Sequence, residues 1–317
     1  MGSDAAKPEI LLLEAMMPEI EVRLDDAYTV HRPFKAPDSA ALVASAAPRV
    51  RAIVTGGGIG ASNQLVDALP ALEIIAINGI GTDAVDLQRA KARAIRVTTT
   101  PDVLTEDVAD MALALLLAVS RRICVGDRFV RDGRWPTGGL PLARKVSGKR
   151  LGIVGFGRVG RAIARRGEAF GMPIAYTDLR ALPDVPHRFV SPLEELARCS
   201  DVLVVAAAGG PQSRSIVNAA VLDALGPDGI LVNVARGSVV DEPALVAALT
   251  EGRLGGAGLD VFAHEPDVPE ALRSMENVVL QPHRASATVE TRIAMGELVL
   301  ANLAAQFGGK ALPTAVV

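Results

Sequence analysis

The chain carries at residues 151–160 the stretch Leu151-Gly152-Ile153-Val154-Gly155-Phe156-Gly157-Arg158-Val159-Gly160, four mainly apolar residues and then three glycines at fixed spacing. The apolar run predicts a buried strand, and the pattern from Arg158 to about Phe170 predicts a helix directly after it. The first glycine permits a tight turn, the second lets a pyrophosphate approach, and the third lets the helix pack on the strand. The stretch therefore indicates a dinucleotide-binding unit, although an ordinary glycine-rich turn could show the same hexapeptide.

Two residues near the end of the next predicted strand bear on the choice of dinucleotide. Asp178 closes that strand, where a carboxylate accepts hydrogen bonds from ribose hydroxyls and repels a 2′-phosphate, which favours NAD. Arg180 lies two residues later and could pair with the extra phosphate of NADP, or it could be a solvated surface residue. The residues themselves therefore leave the choice between NAD and NADP open.

Short apolar runs alternate with helical patterns on both sides of this stretch. This alternation is typical of parallel sheets with crossover helices. We therefore predict an α/β fold with two Rossmann-like domains, each with a parallel sheet, and an active site in the cleft between them. The predicted strands are Glu9–Leu13, Arg51–Thr55, Leu72–Ile77, Ile95–Thr98, Arg150–Gly155, Ile174–Thr177, Val202–Ala206, Ile230–Asn233, Gly256–Leu259 and Asn277–Leu280.

The domain boundaries follow from a chain break and from the last helix. Pro101 breaks the chain, and Thr105-Glu106-Asp107 then supplies capping and acidic residues ahead of a long apolar helix. A final helix at Thr288–Phe307 can cross back onto the first domain. We therefore predict a discontinuous substrate-binding domain at residues 1–101 plus 287–317 and a dinucleotide-binding domain at residues 102–286.

Three polar residues follow apolar strands in the second half of the chain: Arg236, Glu265 and His283. The carboxyl ends of strands in an open parallel sheet line the ligand crevice, so these side chains can converge there. Reduction of a 2-oxo acid needs a cation for the carboxylate and a proton donor for the ketone oxygen. Arg236 suits the first role and His283 the second. Glu265, hydrogen-bonded to the imidazole, would favour its protonated form and fix its orientation.

Each of these residues also has an ordinary structural interpretation. Arg236 could be a surface charge and Glu265 a turn residue, and most lone histidines are structural. His264, beside Glu265, is the competing histidine, but it lies in a proline-rich turn and not at a strand end. We find no H-E-x-x-H motif and no serine nucleophile elbow, so the sequence predicts hydride transfer without a metal.

A loop in the first domain is a candidate for the substrate carboxylate. The run Ile77-Asn78-Gly79-Ile80-Gly81 ends an apolar strand with two glycines, a setting in which backbone amides can bind an anion. We predict substrate binding by Asn78, Gly79 and Ile80. A plain tight turn would give the same local pattern.

Composition restricts the partners and the compartment. The chain has 33 basic and 36 acidic residues, so its charge gives no reason to expect nucleic acid or an anionic membrane as a partner. Cys124 and Cys199 lie in apolar segments, which predicts that both are reduced, buried thiols. The amino terminus, with Asp4, lacks the features of a signal peptide, and the apolar stretch Met111–Val119 is too short to span a bilayer. These features predict a cytoplasmic enzyme acting on a small molecule.

Several motifs together resemble the D-isomer-specific 2-hydroxyacid dehydrogenases, particularly the glyoxylate, hydroxypyruvate and hydroxyphenylpyruvate reductase branch. The motifs are Thr100-Pro101-Asp102-Val103-Leu104-Thr105-Glu106-Asp107-Val108-Ala109-Asp110, the Gly155–Gly160 fingerprint, Asn233-Val234-Ala235-Arg236-Gly237, Gly256-Ala257-Gly258-Leu259-Asp260-Val261-Phe262 and Pro282-His283. The resemblance implies a catalytic triad of Arg236, Glu265 and His283. It further implies cofactor contacts at Val234, Ala235 and Asp260, a D-2-hydroxy acid product, and a homodimer with the Trp135 region near the partner.

The sequence departs from this family at two places. Relatives that use NADP often carry Ser-Arg where this chain has Asp178-Leu179, and Arg284 stands where a small apolar residue is expected. A different class of function is a dinucleotide-sensing regulator of the same fold. Such a regulator is expected to carry an interaction tail or a DNA-binding element, and we recognise neither, so the enzyme interpretation is favoured.

Overall fold

The computed structural model describes residues 6–317, and internal contacts divide the chain into two compact units. The first unit comprises Met1–Leu104 and Ala287–Val317, and the second comprises Thr105–Ser286. The prediction that the chain lacks a signal peptide depends partly on Asp4, which lies outside the described residues. Within residues 6–317, no helix combines the length and the apolar character that crossing a membrane requires.

The first unit is built on a sheet of five parallel strands in the order β2-β1-β3-β4-β5. The chain passes from β1 to β2 at one edge and then, from β3 onward, to the other side of β1. The strands are β1 (Glu9–Leu12), β2 (Thr29–His31), β3 (Val50–Gly56), β4 (Ile74–Asn78) and β5 (Arg96–Thr98).

Helices cover both faces of this sheet. They are α1 (Pro18–Ala27), α2 (Ser39–Ala46), α3 (Asn63–Ala68), α4 (Leu87–Ala92) and, from the carboxyl-terminal part of the chain, α12 (Val289–Phe307). Thr288 caps α12 by accepting a hydrogen bond from the Thr291 amide. Val299 and Leu303 of α12 pack into the same buried cluster as Leu12 and Val54 of the sheet. This packing is why residues 287–317 belong to the first unit.

The second unit contains seven parallel strands in the order β12-β11-β10-β9-β6-β7-β8. The strand order reverses between β6 and β9, and the crevice at such a point is where open α/β sheets bind ligands. The strands are β6 (Leu151–Val154), β7 (Ile174–Thr177), β8 (Arg188–Phe189), β9 (Val202–Val205), β10 (Ile230–Asn233), β11 (Gly256–Leu259) and β12 (Val278–Leu280).

The helices of the second unit pack on both faces of the longer sheet. They are α5 (Thr105–Ser120), α6 (Ile123–Arg131), α7 (Arg158–Ala169), α8 (Leu193–Arg198), α9 (Ala219–Leu225), α10 (Glu242–Thr250) and α11 (Glu270–Ser274). Arg166 of α7 pairs with Glu106 at 2.8 Å and with Asp110 at 2.6 Å, so ion pairs join α7 to the first turns of α5.

The parallel α/β prediction is confirmed, with two differences in detail. The sequence analysis missed the short edge strands β2 and β8, which have three and two residues, too few to show periodicity. It also predicted that both cysteines are buried. Cys199 is half-buried, but Cys124 is exposed because it lies on the outward side of α6, whose buried residue is Val125.

Candidate active site

The glycine stretch forms the turn from β6 into α7. Gly155 has φ +87°, and a side chain there would lie 2.5 Å from the Cα of Ala207. At Gly160 an added methyl group would collide with the carbonyl oxygen of Gly155, whereas at Gly157 it would meet nothing within 4 Å. The second glycine therefore leaves open space at the helix N-terminus, as the close approach of a pyrophosphate requires. The turn fits a dinucleotide.

Asp178 joins the glycine turn to the end of β7. One carboxylate oxygen accepts a hydrogen bond from the Phe156 amide at 2.8 Å, and the other accepts one from the Leu179 amide at 2.7 Å. Phe156 itself is buried and packs on Tyr176, with 4.4 Å between ring centroids. These contacts fix the negative charge of Asp178 beside the turn. Arg180 is exposed and forms no ion pair with the described residues.

Glu265 and His283 form a hydrogen-bonded pair beyond β11 and β12. Glu265 Oε2 lies 2.7 Å from His283 Nδ1, and Glu265 Oε1 accepts a hydrogen bond from the Phe262 amide at 3.0 Å. Burial alone would raise the pKa of Glu265, but the hydrogen bonds from His283 and Phe262 outweigh it, so its pKa is lowered. Glu265 is therefore ionised at neutral pH and holds the imidazole by Nδ1.

The turn after β10 carries Arg236 towards this pair. The buried Asn233 side chain accepts a hydrogen bond from the Ala235 amide and donates one to the Arg236 carbonyl oxygen, both at 3.0 Å. A methyl group added at Gly237 would overlap the Phe262 carbonyl group. This close approach brings the turn against the segment that carries Glu265, and the charge of Arg236 helps to lower the pKa of Glu265. The three predicted triad residues are thus brought together within one unit.

Asp260 holds the segment that carries His283. Its carboxylate is fully buried and accepts hydrogen bonds from the amides of Arg284 at 2.7 Å and Ala285 at 2.9 Å. Its backbone carbonyl oxygen accepts a hydrogen bond from the amide of His283 at 2.8 Å. Burial raises the pKa of Asp260, although these hydrogen bonds oppose the rise. His283 adopts φ +52°, a left-handed conformation that costs about 1–3 kcal/mol for a residue with a side chain and persists only when its surroundings impose it.

A model of the D-isomer specific 2-hydroxyacid dehydrogenase family, NAD binding domain, matches residues 113–285 of the chain, which is more than half of its length. The chain belongs to this family. Members of it are NAD(P)-dependent oxidoreductases, and this dehydrogenase accordingly takes NAD or NADP.

Known relatives match the dehydrogenase over nearly its full length. A 2-ketogluconate reductase of Gluconobacter oxydans is 48% identical over 99% of this chain and 100% of its own. A hydroxyphenylpyruvate reductase of Plectranthus scutellarioides is 49% identical over 97% of this chain and 98% of its own. One solved structure is that of an NADPH-dependent glyoxylate/hydroxypyruvate reductase from Sinorhizobium meliloti in complex with NADP and malonate. It is 43% identical in sequence, has a TM-score of 0.91, and covers 98% of this chain and 97% of its own.

The remaining predicted site residues of the dehydrogenase lie in different environments. Val234 and Ala235 are buried in the turn after β10. The cofactor contact implied for Asp260 stays a prediction, since its carboxylate is fully occupied with backbone amides. Arg284 is exposed, and its amide rather than its side chain has the structural role. Within residues 6–317, no group of three or more His, Cys, Asp or Glu side chains is arranged to hold a metal ion.

The predicted substrate loop lies at the end of β4 in the first unit. Asn78 is buried, Gly79 is half-buried and Ile80 is exposed. Among the residues that the structure describes, no acceptor binds the backbone amides of Gly79, Ile80 or Gly81. Consecutive amides without acceptors are suited to an anion.

Proposed function

We propose that this dehydrogenase reduces a small 2-oxo acid such as glyoxylate, hydroxypyruvate or hydroxyphenylpyruvate to the D-2-hydroxy acid. The observation that carries the proposal is the pair of Glu265 and His283 with Arg236 beside it, at the carboxyl ends of neighbouring parallel strands. A carboxylate, an imidazole and a guanidinium are the groups needed to bind and protonate a 2-oxo acid. The relatives named above support the same reaction class.

The cofactor would be held by the turn Gly155-Phe156-Gly157-Arg158-Val159-Gly160, by Asp178, and by the Val234-Ala235 turn. The open space at Gly157 and the positive φ of Gly155 fit that role. When bound, the reduced nicotinamide supplies the hydride. Asp178 places a fixed negative charge where the 2′-phosphate of NADP would approach, so we expect NADH to be used better than NADPH.

The chain's own residues supply binding and the proton. Glu265 occupies Nδ1 of His283, so Nε2 is the nitrogen free to give its proton to the ketone oxygen. The ring is 41% exposed, which leaves that nitrogen accessible to a substrate. Arg236 holds the carboxylate and polarises the ketone, and Glu265 stabilises the protonated imidazole until the proton leaves. In the reverse reaction the neutral imidazole takes the proton from the hydroxy acid.

The test follows the loss of absorbance of NADH and NADPH in parallel with glyoxylate, hydroxypyruvate and 4-hydroxyphenylpyruvate. We expect His283→Ala to lose most of the turnover and to retain cofactor binding, measured by titration of the reduced cofactor. His264→Ala is the matched control, because His264 lies in the same segment as Glu265 and is expected to be dispensable. The assignment is wrong if His283→Ala keeps its turnover or if only His264→Ala loses it. Cofactor binding without turnover of any acid would point to a sensing role.

We further propose that Asn78, Gly79 and Ile80 bind the substrate carboxylate. The amides of Gly79 and Ile80 have no acceptor among the described residues, which supports this role. A crystal structure with the cofactor and a bound 2-oxo acid tests it. A carboxylate oxygen within hydrogen-bond distance of either amide is expected, and a carboxylate bound elsewhere would contradict the proposal.

We propose that the dehydrogenase is a cytoplasmic homodimer with the Trp135 region at the interface. Trp135 is 69% exposed and Leu142 is 98% exposed, and exposed Val130 lies nearby on α6 in the same part of the second unit. An exposed apolar patch formed by these side chains would be typical of an interaction surface. Light scattering should give twice the chain mass of 33.0 kDa for the native protein and a smaller value for Leu142→Asp. A native mass equal to one chain would exclude the dimer, and cell fractionation tests the compartment.

A further inference from the structure

The sheet of the first unit has its own reversal of strand order, between β1 and β3. The crevice outside the carboxyl ends of strands at such a point is the usual ligand site of an open parallel sheet. Glu14 follows β1 by two residues, Gly56 ends β3, and Asn78 ends the neighbouring β4. The carboxyl ends of these neighbouring strands therefore carry an acidic residue, a glycine and an asparagine side by side.

The carboxylate of Glu14 lies directly over Gly56. A methyl group added at Gly56 would collide with both carboxylate oxygens of Glu14, so the glycine provides the space that the carboxylate occupies. Glu14 is half-buried, and within residues 6–317 no group donates a hydrogen bond to its carboxylate. Burial raises the pKa of Glu14, and the charge of Arg292 on α12 opposes the rise. A half-buried carboxylate without a protein donor depends on water or on a bound molecule to supply one.

A further buried polar atom, on the side chain of Asn78, lies near Glu14 without a partner. Asn78 pairs in register with Gly56, so its side chain leaves the sheet on the face where Glu14 lies. Asn78 is only 7% exposed, and its Oδ1 has no partner among the described residues. We name the side chains of Glu14 and Asn78 the polar cluster, which leaves the backbone of residues 78–80 for the substrate carboxylate.

We infer that the polar cluster binds hydroxyl groups along the tail of a polyhydroxylated 2-oxo acid, and that Glu14 is the residue that selects such substrates. A hydroxyl group both donates and accepts, so a chain of hydroxyls can satisfy the carboxylate and the amide together. An aromatic tail would leave these buried polar atoms unpaired, which costs binding free energy. This inference rests on the proposed reduction of 2-oxo acids.

The test compares kcat/KM for 2-ketogluconate, a polyhydroxylated 2-oxo acid, with kcat/KM for glyoxylate, which has no tail. Glu14→Gln replaces the charged acceptor by a neutral one, and the ratio of the two values should fall about five- to tenfold. Gly56→Ala should lower the same ratio, because the added methyl group displaces the Glu14 carboxylate. Glu9→Gln is the matched control on the same strand. Glu9 lies at the opposite end of β1, where it pairs with His31, and the ratio should stay unchanged.

The outcomes separate this inference from the proposed function. A wild-type protein that reduces glyoxylate but not 2-ketogluconate overturns the inference alone, as does a Glu14→Gln ratio within twofold of wild type in a variant with native thermal stability. A wild-type protein that reduces no 2-oxo acid shows that the proposed function is wrong. Calorimetric titration of 2-ketogluconate into wild type and Glu14→Gln then decides the subsite separately. Weaker binding by the variant supports the subsite, and equal or absent binding excludes it.

Discussion

Replacing Glu265 by glutamine removes one of two hydrogen-bond acceptors while it preserves the shape of the side chain. The two carboxylate oxygens accept from Phe262 and from His283 at 3.0 and 2.7 Å. An amide has a single acceptor oxygen, so one of these N–H groups is left facing an NH₂ group. A half-buried donor without a partner costs about 1–3 kcal/mol. If that cost falls on the protonated imidazole of the transition state, kcat/KM should decrease about five- to 150-fold.

The assay is the initial rate of NADH oxidation with hydroxypyruvate across a range of pH. Glu265 must be ionised to stabilise the protonated imidazole, and its lowered pKa keeps it ionised until the pH falls below the ordinary range of a glutamate. We therefore expect the wild-type activity to decline as the pH falls through this lowered pKa, and Glu265→Gln, which has no carboxylate to protonate there, to lack that acid decline. A residue with only a structural role would lower the rate without removing this decline.

A nearby carboxylate with a simpler contact provides the control. Glu242 accepts a hydrogen bond from the Ala263 amide at 3.0 Å, and no contact with a histidine is involved. The oxygen of a glutamine can still accept that bond, so Glu242→Gln should remain close to wild type. The role assigned to Glu265 is refuted if Glu265→Gln retains its kcat/KM within twofold, or if Glu242→Gln loses as much.

Three further predictions concern the cofactor, the His283 segment and acid stability. Asp178→Ser should raise kcat/KM with NADPH relative to NADH by about tenfold or more, because the charge that repels a 2′-phosphate is removed; an unchanged ratio in parallel assays would contradict this. Asp260→Asn leaves one amide of the 284–285 segment unpaired, so both kcat/KM and Tm should fall; a native Tm and rate would show that the second hydrogen bond from this segment to Asp260 is dispensable. The hydrogen bond from Arg150 lowers the pKa of Asp201 in the folded state, so this pair stabilises the fold above the ordinary aspartate pKa of about 3.9 and loses its effect as pH falls through the lowered value. Asp201→Asn should therefore lower Tm at neutral pH and have little effect in strong acid, and an equal loss at both pH values would exclude the pair as the cause.

The sequence predicted the parts of the fold that repeat a pattern over many residues. The apolar strand and glycine turn at Leu151–Gly160, and the long helix after His283, are found at nearly the predicted bounds. Edge strands of two or three residues were missed because so short a segment carries no period. The exposure of Cys124 was missed because its neighbours are apolar, whereas exposure depends on which side of a helix a residue occupies.

Site residues that follow a strand could be predicted from the sequence. Features that depend on contact between segments distant in the sequence could not. Arg236, Glu265 and His283 each follow a strand, which is visible in the sequence. The role of Gly237 depends on a contact with Phe262, twenty-five residues later in the chain. The position of Glu14 over Gly56 is of the same kind. A buried aspartate directly after an apolar strand, as at Asp260, was the signal that could have predicted its hydrogen bonds to the His283 segment.

The position of Trp135 gives the protein a built-in optical probe. It is the single tryptophan of the sequence, so fluorescence excited at the red edge of the protein's absorption comes from one indole. That indole is largely solvated in an isolated chain, where its emission is red-shifted, and covering it with another chain would shift the emission to shorter wavelength. A dilution series read by emission wavelength therefore reports association of chains directly. The same signal does not originate at Glu265 or His283, so the spectrum separates assembly from catalysis without any label.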